Sequence, residues 1–328
     1  MKSRFLGLVL IPVLSSCSTS QDKVNTQVKI IDNIESHIIL PTHQLLCERV
    51  MDLQAAVGRI EIGDDLSLLQ ARDAWFEARE LWEQAEGYRV SGSNAGTIRS
   101  RMDNRPLQIS EGSGVVLHIG ELQLVESILW GAEGVKVSAE LTDVDLHRLE
   151  AITTNMVEQS KQLLMLARDA SSDAATFRTQ TGEARSNACQ RKLKDYVEGM
   201  IAVTNEIIDE KIAESFFQSD LTVLVDPYSD NTKFDILNNI ISIENLYTGR
   251  LDLHKGLGIS TVVEQQDSEL DERVRRTIEE SKRAINALPE SYSMALAHDR
   301  DAVLVAKVKL QSLQELLTVQ LLPIVTQI

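Results

Sequence analysis

The chain has 328 residues, of which 43% are hydrophobic and only 4% aromatic, and its formal net charge is −16. This length is about twice that of a usual single domain, so one large core or two modest cores fit it. Few glycines and only 6 prolines argue against an all-β fold. A body this acidic repels nucleic acid and anionic lipid headgroups, so no nucleic-acid partner is expected.

The first residues carry the pattern of a lipoprotein signal. Lys2 and Arg4 give a basic start, and the apolar run at residues 5–14 is too short to span a bilayer. Two serines then precede Cys17, and lipoprotein processing acylates both the cysteine sulfur and the new amino terminus. An ordinary secretory signal, cut near Ser20, is the alternative.

Cleavage before Cys17 makes residues 1–16 a signal peptide and residues 17–24 a lipidated polar tether. Ser18, rather than an aspartate, follows the cysteine, which favours transfer to the outer membrane. We therefore predict an outer membrane lipoprotein that faces the periplasm, with the lipid anchor as its contact with the membrane. No later stretch is long and apolar enough for a transmembrane helix.

Helical periodicity dominates the remaining chain. Asp64 and Asp65 are candidate caps of one helix, and Pro41 separates two others. The predicted helices cover residues 24–40, 41–60, 66–86, 115–130, 142–169, 183–217, 232–249, 264–288 and 291–322. The polar segment at residues 87–114 is long for a loop, and such loops are often functional.

Residues 170–182 are rich in small side chains and predict a hinge with four main helices on each side. This count predicts an all-α fold of two four-helix-bundle-like halves, at residues 25–170 and 183–328. Residues 124–131 and 242–249 share an apolar residue before a glutamate and a glycine five positions after it. This similarity favours a duplication, with chance as the alternative.

Two further cysteines, Cys47 and Cys189, lie one in each half. An oxidising compartment permits a disulfide between them. Two buried free thiols are the alternative, and the sequence leaves the choice open.

Three side chains share one face of a predicted helix, because Trp75, Arg79 and Trp82 follow the spacing i, i+4, i+7. They form either a wall beside the polar loop, with Arg79 binding a carboxylate or carbonyl, or packed core with Arg79 paired. Glu126 and Glu244 lie on largely apolar helices, so each needs a hydrogen bond, a partner, a proton or a metal. The 6 histidines show no metal-binding spacing, and no catalytic residue is identified.

The ordered set of motifs resembles the imelysin family. Residues 74–86 resemble its Trp-x-x-x-Arg-x-x-Trp-x-x-x-Glu helix, and residues 103–107 its Asp-x-Trp-Pro loop, with Arg105 in place of the tryptophan. The family's second-half signature is matched by Ser229, Asp230, Asn231, Thr232, Asp235, Asn238 and the run at residues 243–249, which includes Glu244.

The resemblance implies an all-helical fold of two halves related by pseudo-twofold symmetry, with a cleft between them that is lined by the irregular segments. It also implies an envelope protein, since some members are linked to iron uptake, and the founding member was described as a metallopeptidase. The family's Gly-x-His-x-x-Glu site falls on residues 121–126, where Gln123 replaces the histidine and Glu126 is retained. An amide oxygen is a weak, hard ligand, and His118 lies at the wrong helical angle to replace the imidazole.

The leading hypothesis is a non-enzymatic binding lipoprotein associated with iron uptake, with envelope proteins of iron uptake as partners. Iron or another divalent or trivalent metal is the candidate cofactor and Glu126 the candidate ligand. Glu244, Asp103 and Asp230 complete an oxygen-rich set suited to hard cations. The alternatives are a metallopeptidase with Glu126 as base or ligand, and a scaffold lipoprotein with a degenerate site, favoured by Gln123 and Arg105.

Overall fold

A computed structural model describes residues 20–88, 94–104, 119–218, 224 and 226–327 of the chain. The predicted signal peptide, the predicted lipidation site Cys17, the loop residue Arg105 and His118 lie outside the described residues. Within the described ranges the predicted all-α class is confirmed, since the sole sheet there is a two-stranded hairpin.

Helices follow one another along the whole described chain. The first set is α1 (Ser20–Ile34), a π-helical turn (Glu35–Ile39), α2 (Leu40–Val57), α3 (Asp65–Glu86), α4 (Ala95–Met102), α5 (Glu121–Trp130), a 3₁₀ turn (Ser138–Glu140) and α6 (Asp143–Thr179). The second set is α7 (Gly182–Glu206), a π-helical segment (Ile207–Glu214), α8 (Ser215–Gln218), α9 (Thr232–Thr248), the antiparallel hairpin β1 (Arg250–Leu251) and β2 (His254–Lys255), α10 (Ile259–Gln266), α11 (Ser268–Asn286), α12 (Tyr292–His298), α13 (Arg300–Glu315), a π-helical segment (Leu316–Leu321) and α14 (Leu322–Val325).

Helix ends agree with the prediction where a capping residue decides them. The Asp64 carboxylate accepts a hydrogen bond from the amide of Leu66 at 3.1 Å and begins α3. Gly249 ends α9 with φ of 71°, a left-handed conformation that favours glycine. Pro41 does not break the helix. In a regular α-helix a proline ring clashes with the carbonyl of the fourth residue before it, here His37, and a wider π-helical turn lies at that point.

The predicted hinge at residues 170–182 is mostly helical, because α6 continues to Thr179 and only residues 180–181 precede α7. Alanine is the best helix former, so small residues alone do not end a helix. The predicted polar loop at residues 87–114 contains α4. The predicted last helix at residues 291–322 is interrupted at Asp299, whose carboxylate caps α13.

Two hydrophobic cores fill the molecule. The first lies among α2 to α6 and includes Trp75 and Trp82. The second lies among α7 and α9 to α14, and it also takes Ile30, Ile31 and Ile34 from α1, all fully buried. Helix α1 therefore packs with the second core although it precedes the first in sequence. The division into residues 25–170 and 183–328 and the pseudo-twofold symmetry stay predictions.

Helix α3 packs against α9. At Gly87, which follows α3, an added Cβ would collide with the Ser242 side chain of α9. Cys47 and Cys189 are both buried and both free thiols. No helix among the described residues combines the length and apolarity needed to cross a membrane.

Candidate functional site

Arg79 on α3 has no exposed surface. Its guanidinium contacts one carboxylate of its own helix, Glu83, at 2.7 Å and one at the end of α4, Asp103, at 2.5 Å. Farther along the chain, Asp226 lies 3.1 Å and Asp235 2.9 Å from guanidinium nitrogens. We call these five side chains the Arg79 cluster. Because one cation binds carboxylates from α3, the end of α4, the loop before α9 and α9, the cluster links these elements.

The Arg79 cluster has one guanidinium and four carboxyl groups, and the pKa values of these acids are shifted in different directions. Burial raises the pKa of Asp226 to about 6, and it raises the pKa of Asp235 well above its usual range despite the nearby Arg79 charge. The neighbouring Asp226 carboxyl group also raises the pKa of Asp235. Burial acts in the same direction on Asp103, but the charges of Arg79 and Lys211 lower its pKa to about 2.

Asp103 joins the predicted tryptophan face to the degenerate family motif. The Trp82 indole donates to Asp103 Oδ2 at 2.8 Å, and the Gln123 amide nitrogen donates to Asp103 Oδ1. The amide at the histidine position of the family therefore serves as a donor to a carboxylate. The Trp75 indole donates to the carbonyl of Leu122 at 3.0 Å within the first core. The sequence offered two interpretations, an Arg79 that binds a carboxylate beside the polar loop and an Arg79 that is paired within the core. Arg79 is both buried and paired with carboxylates, so it shows features of each.

Glu126 is fully buried on α5 and fixes the loop that precedes α9. Its Oε1 accepts hydrogen bonds from the amides of Tyr228 at 3.0 Å and Ser229 at 2.7 Å, and from the Ser229 hydroxyl at 2.7 Å. Its Oε2 has no hydrogen-bond partner among the described residues. Burial raises the pKa of Glu126 to about 7 although these hydrogen bonds favour the carboxylate.

A second buried cation was not identified from the sequence. Lys211, in the π-helical segment after α7, is 1% exposed, and its ammonium lies 2.5 Å from Glu83 Oε2, 3.7 Å from Glu206 and 3.9 Å from Glu86. The Asn239 amide of α9 donates to the same Glu83 oxygen at 2.7 Å. A lone lysine among isoleucines at residues 207–212 was the available signal, since a charge on an apolar helix face needs a partner.

The structure brings together Trp75, Arg79, Trp82, Asp103, Gln123, Glu126, Ser229 and Asp235 through the contacts above. Asn231 joins this group, because its amide nitrogen donates to Asp235 Oδ1 at 2.7 Å. Thr232, next to it at the start of α9, is fully buried, and its hydroxyl has no hydrogen-bond partner among the described residues. Asp226 completes the group and was missed, because nothing in its loop sequence marks it as buried.

Two predicted residues take part in other contacts. Asp230, with φ of 57°, accepts hydrogen bonds from Ser291 and Ser293 at the start of α12. Glu244 is partly exposed and pairs with Lys282 at 2.7 Å. The predicted oxygen-rich set is therefore not assembled, because two of its four members are held by partners on α11 and α12.

The metal site implied by the resemblance can be tested against the donors present. Across the described ranges, no three His, Cys, Asp or Glu side chains come together in a way that could hold a metal ion. Gln123 donates to Asp103, and Glu126 Oε1 already accepts three hydrogen bonds. These donors do not fit a metal centre of the family type. Glu126 as a metal ligand stays a prediction.

A pocket of about 410 Å³ opens between α3 and α9, next to the Arg79 cluster. Its lining combines apolar and polar side chains: Phe76, Glu80, Asn231, Phe234, Leu237, Asn238 and Ile241. Asn231 belongs both to this lining and to the hydrogen-bond network of Asp235. Asn231 therefore connects the pocket to the buried charges.

Known proteins are similar to this chain in sequence and in fold. The chain is 23% identical to iron-regulated protein A of Synechococcus elongatus, over 95% of this chain and 90% of that protein. A crystal structure from Parabacteroides distasonis, of a protein provisionally assigned as an iron-regulated protein A precursor, has a TM-score of 0.73 and 18% identity. That match covers 92% of this chain and 95% of the other. The sequence profile of imelysin (peptidase M75) matches residues 39–320, and the chain therefore belongs to the imelysin family.

Proposed function

We propose that this chain is a non-enzymatic binding lipoprotein of the cell envelope that serves iron acquisition. In this proposal a lipid on Cys17 holds it in the outer membrane, and its body faces the periplasm. The relative in Synechococcus elongatus supports the connection with iron, because its name describes a protein regulated by iron. The amino-terminal sequence pattern supports the anchor.

One observation carries the non-enzymatic role: the residues of the candidate site are bound to one another. A hydrolytic metal centre needs about three protein ligands and an open position. Asp103 is held by Arg79, Trp82 and Gln123, and Asp235 by Arg79 and Asn231. These bonds make the site a connection between the halves.

The described residues assemble no set of three metal ligands, so the proposal of a bound cation rests on two carboxylate oxygens at this site. Glu126 Oε2 and Asp226 Oδ1 are buried and have no hydrogen-bond partner among the described residues. Carboxylate oxygens are hard donors, suited to ferric iron more than to copper. The charge of Glu126 raises the pKa of Asp226, so the two carboxyl groups are electrostatically coupled. A cation bound there replaces the protons that these groups otherwise hold.

Calorimetry tests the binding role. The full-length chain, solubilised in detergent, is titrated with ferric, ferrous, zinc and copper ions beside Glu126→Gln. Glu244→Gln is the matched control, because that glutamate pairs with Lys282 outside the Arg79 cluster. We expect saturable iron binding that the Glu126 variant loses and the Glu244 variant keeps. Binding should strengthen above pH 7, since the pKa of Glu126 is about 7 and a metal needs the carboxylate.

The absence of saturable binding for every ion would refute a direct metal role. Peptide hydrolysis by the purified chain, abolished by a chelator and by Glu126→Gln, would refute the non-enzymatic role and restore the peptidase alternative. The anchor is tested separately by mass spectrometry of the amino terminus and by membrane fractionation of Cys17→Ala. A soluble periplasmic variant is expected, whereas an unchanged membrane fraction would contradict the anchor.

A further inference from the structure

The pocket between α3 and α9 has the size of a small-molecule site. Its volume of about 410 Å³ lies within the usual range of ligand pockets, roughly 300–1,000 Å³. Phe76 and Phe234 contribute aromatic rings from the two facing helices, and Leu237 and Ile241 add aliphatic surface. Such a lining favours a ligand with an apolar body.

Phe76 is held rigidly on the α3 side. Its ring packs edge-on against Trp75, with centroids 5.4 Å apart, and against Trp130 at 5.3 Å. On the α9 side, the Lys233 ammonium lies 6.0 Å from the Phe234 ring centroid, but this ammonium donates to the carbonyls of Asn286 and Leu288. The Phe76 ring is therefore positioned before a ligand arrives, whereas the Phe234 ring is 41% exposed.

The charge of the pocket is negative. Glu80 is its one charged lining residue. Its Oε1 accepts a hydrogen bond from the Gln84 amide nitrogen at 3.4 Å, and no lysine or arginine among the described residues forms an ion pair with it. Burial and the charges of Glu77 and Asp252 raise the pKa of Glu80. A bound cation would reverse this effect, because it stabilises the ionised carboxylate.

A second acceptor lines the same pocket. Asn231 is 7% exposed, and its amide nitrogen is fixed by donation to Asp235. Its amide oxygen has no hydrogen-bond partner among the described residues. By contrast, the Asn238 amide is fully used, since it accepts from Gln84 at 2.9 Å and donates to the carbonyl of Phe234 at 3.0 Å. The pocket therefore offers an unused oxygen of Asn231 to an N–H donor.

We propose that this pocket binds a protonated primary amine that carries an apolar chain or ring. The ammonium is held by the Glu80 carboxylate and the Asn231 amide oxygen, and the apolar part lies against Phe76, Phe234 and Leu237. Aromatic faces also attract an ammonium group by cation–π interaction. A carboxylate ligand is repelled by Glu80, and a quaternary ammonium has no N–H for Asn231. This inference goes beyond the proposed function and requires no metal.

Three ligands of matched size test the charge requirement on the full-length chain in detergent. They are 4-phenylbutylamine, 4-phenylbutanol and 4-phenylbutanoate, titrated by calorimetry at pH 7.5 and low salt. We expect one amine per chain, binding of the alcohol about fivefold to tenfold weaker, and no binding of the acid. Equal affinity for amine and alcohol, or no saturable binding of the amine, would overturn the proposal.

Variants locate the site. Glu80→Gln should weaken the amine about fivefold to tenfold and leave the alcohol unchanged, whereas Phe234→Ala should weaken both ligands. Glu244→Gln, which pairs with Lys282 and lies outside the pocket lining, is the matched control and should bind like the parent chain. Both Glu80 and Phe234 are exposed enough for replacement without loss of the fold, which circular dichroism checks. Unchanged amine binding by Glu80→Gln would place the ligand elsewhere and refute the assignment.

Discussion

The buried carboxyl group of Glu126 makes the stability of the fold depend on pH near neutrality. In Glu126→Gln the amide oxygen can still accept from the amides of Tyr228 and Ser229, and the side chain keeps its size. The substitution therefore removes the ability to ionise with little change in packing. We expect the variant to be more stable than the parent chain at alkaline pH.

The magnitude follows from the pKa of Glu126, which burial raises from 4.5 to about 7. The folded state binds this proton more tightly than the unfolded state, so its contribution is complete below pH 4.5 and is lost as pH rises through 7. A difference of about 2.5 pH units corresponds to roughly 3 kcal/mol. The advantage of Glu126→Gln should grow from about 1 kcal/mol at pH 5 to about 3 kcal/mol at pH 8.

Urea unfolding at pH 5, 6.5 and 8, followed by far-ultraviolet circular dichroism in the presence of a chelator, measures this difference. Glu244→Gln is the control, because its partly exposed pair with Lys282 contributes less than about 1 kcal/mol at any of these pH values. Loss of the Glu126 charge also lowers the pKa of Asp226, which acts in the same direction. A stability difference that stays constant with pH would refute the buried, titrating carboxyl group.

Three further predictions concern other buried groups. Arg79→Met leaves four carboxylates without their cation and should lower the free energy of unfolding by about 3–5 kcal/mol at pH 7, whereas Arg49→Met, at an exposed pair, should cost under about 1 kcal/mol. The pKa of Asp103 in the folded chain is lowered from 3.8 to about 2. The free energy of unfolding of the parent chain should therefore fall by roughly 2 kcal/mol as pH drops through this window. Acid titration of Asp103→Asn should show no such loss. Cys47 and Cys189 are buried free thiols, so a thiol reagent should react with them slowly in the native chain and readily after unfolding. Absence of any reaction at these two cysteines after unfolding would indicate a disulfide.

Helix type and order could be predicted from the sequence, because they depend on local periodicity and capping. Asp64 and Gly249 act on backbone groups within a few residues of themselves, so their effect can be read locally. The continuation of α6 to Thr179 could not be predicted, because its polar, small-residue end has no strong periodicity. The membership of α1 in the second core depends on contacts with α7, far away in the chain.

Only those residues of the candidate site that have a local sequence signal could be predicted. Arg79, Asp103 and Glu126 were identified by a charged residue on an apolar face or by resemblance to the family. Their partners could not be identified, since Asp226 lies 147 residues from Arg79 in sequence. Lys211 was missed because it bonds to Glu83, 128 residues away, and only tertiary packing brings the π-helical segment after α7 next to α3.

We expect the buried charge of the Arg79 cluster to make the packing of α3 beside α9 specific. Replacing a buried ion pair by apolar residues is often neutral or stabilising, so the Arg79 cluster is weak evidence for stability alone. The guanidinium binds Asp103, Asp226 and Asp235 in fixed directions, which restricts where α3 can lie against the loop before α9 and α9 itself. Apolar surface would allow the helices to slide, whereas a shift of a few ångströms here would leave buried charges without partners. The position of the pocket between the same two helices is therefore set by the Arg79 cluster, and loss of Arg79 should disturb ligand binding as well as stability.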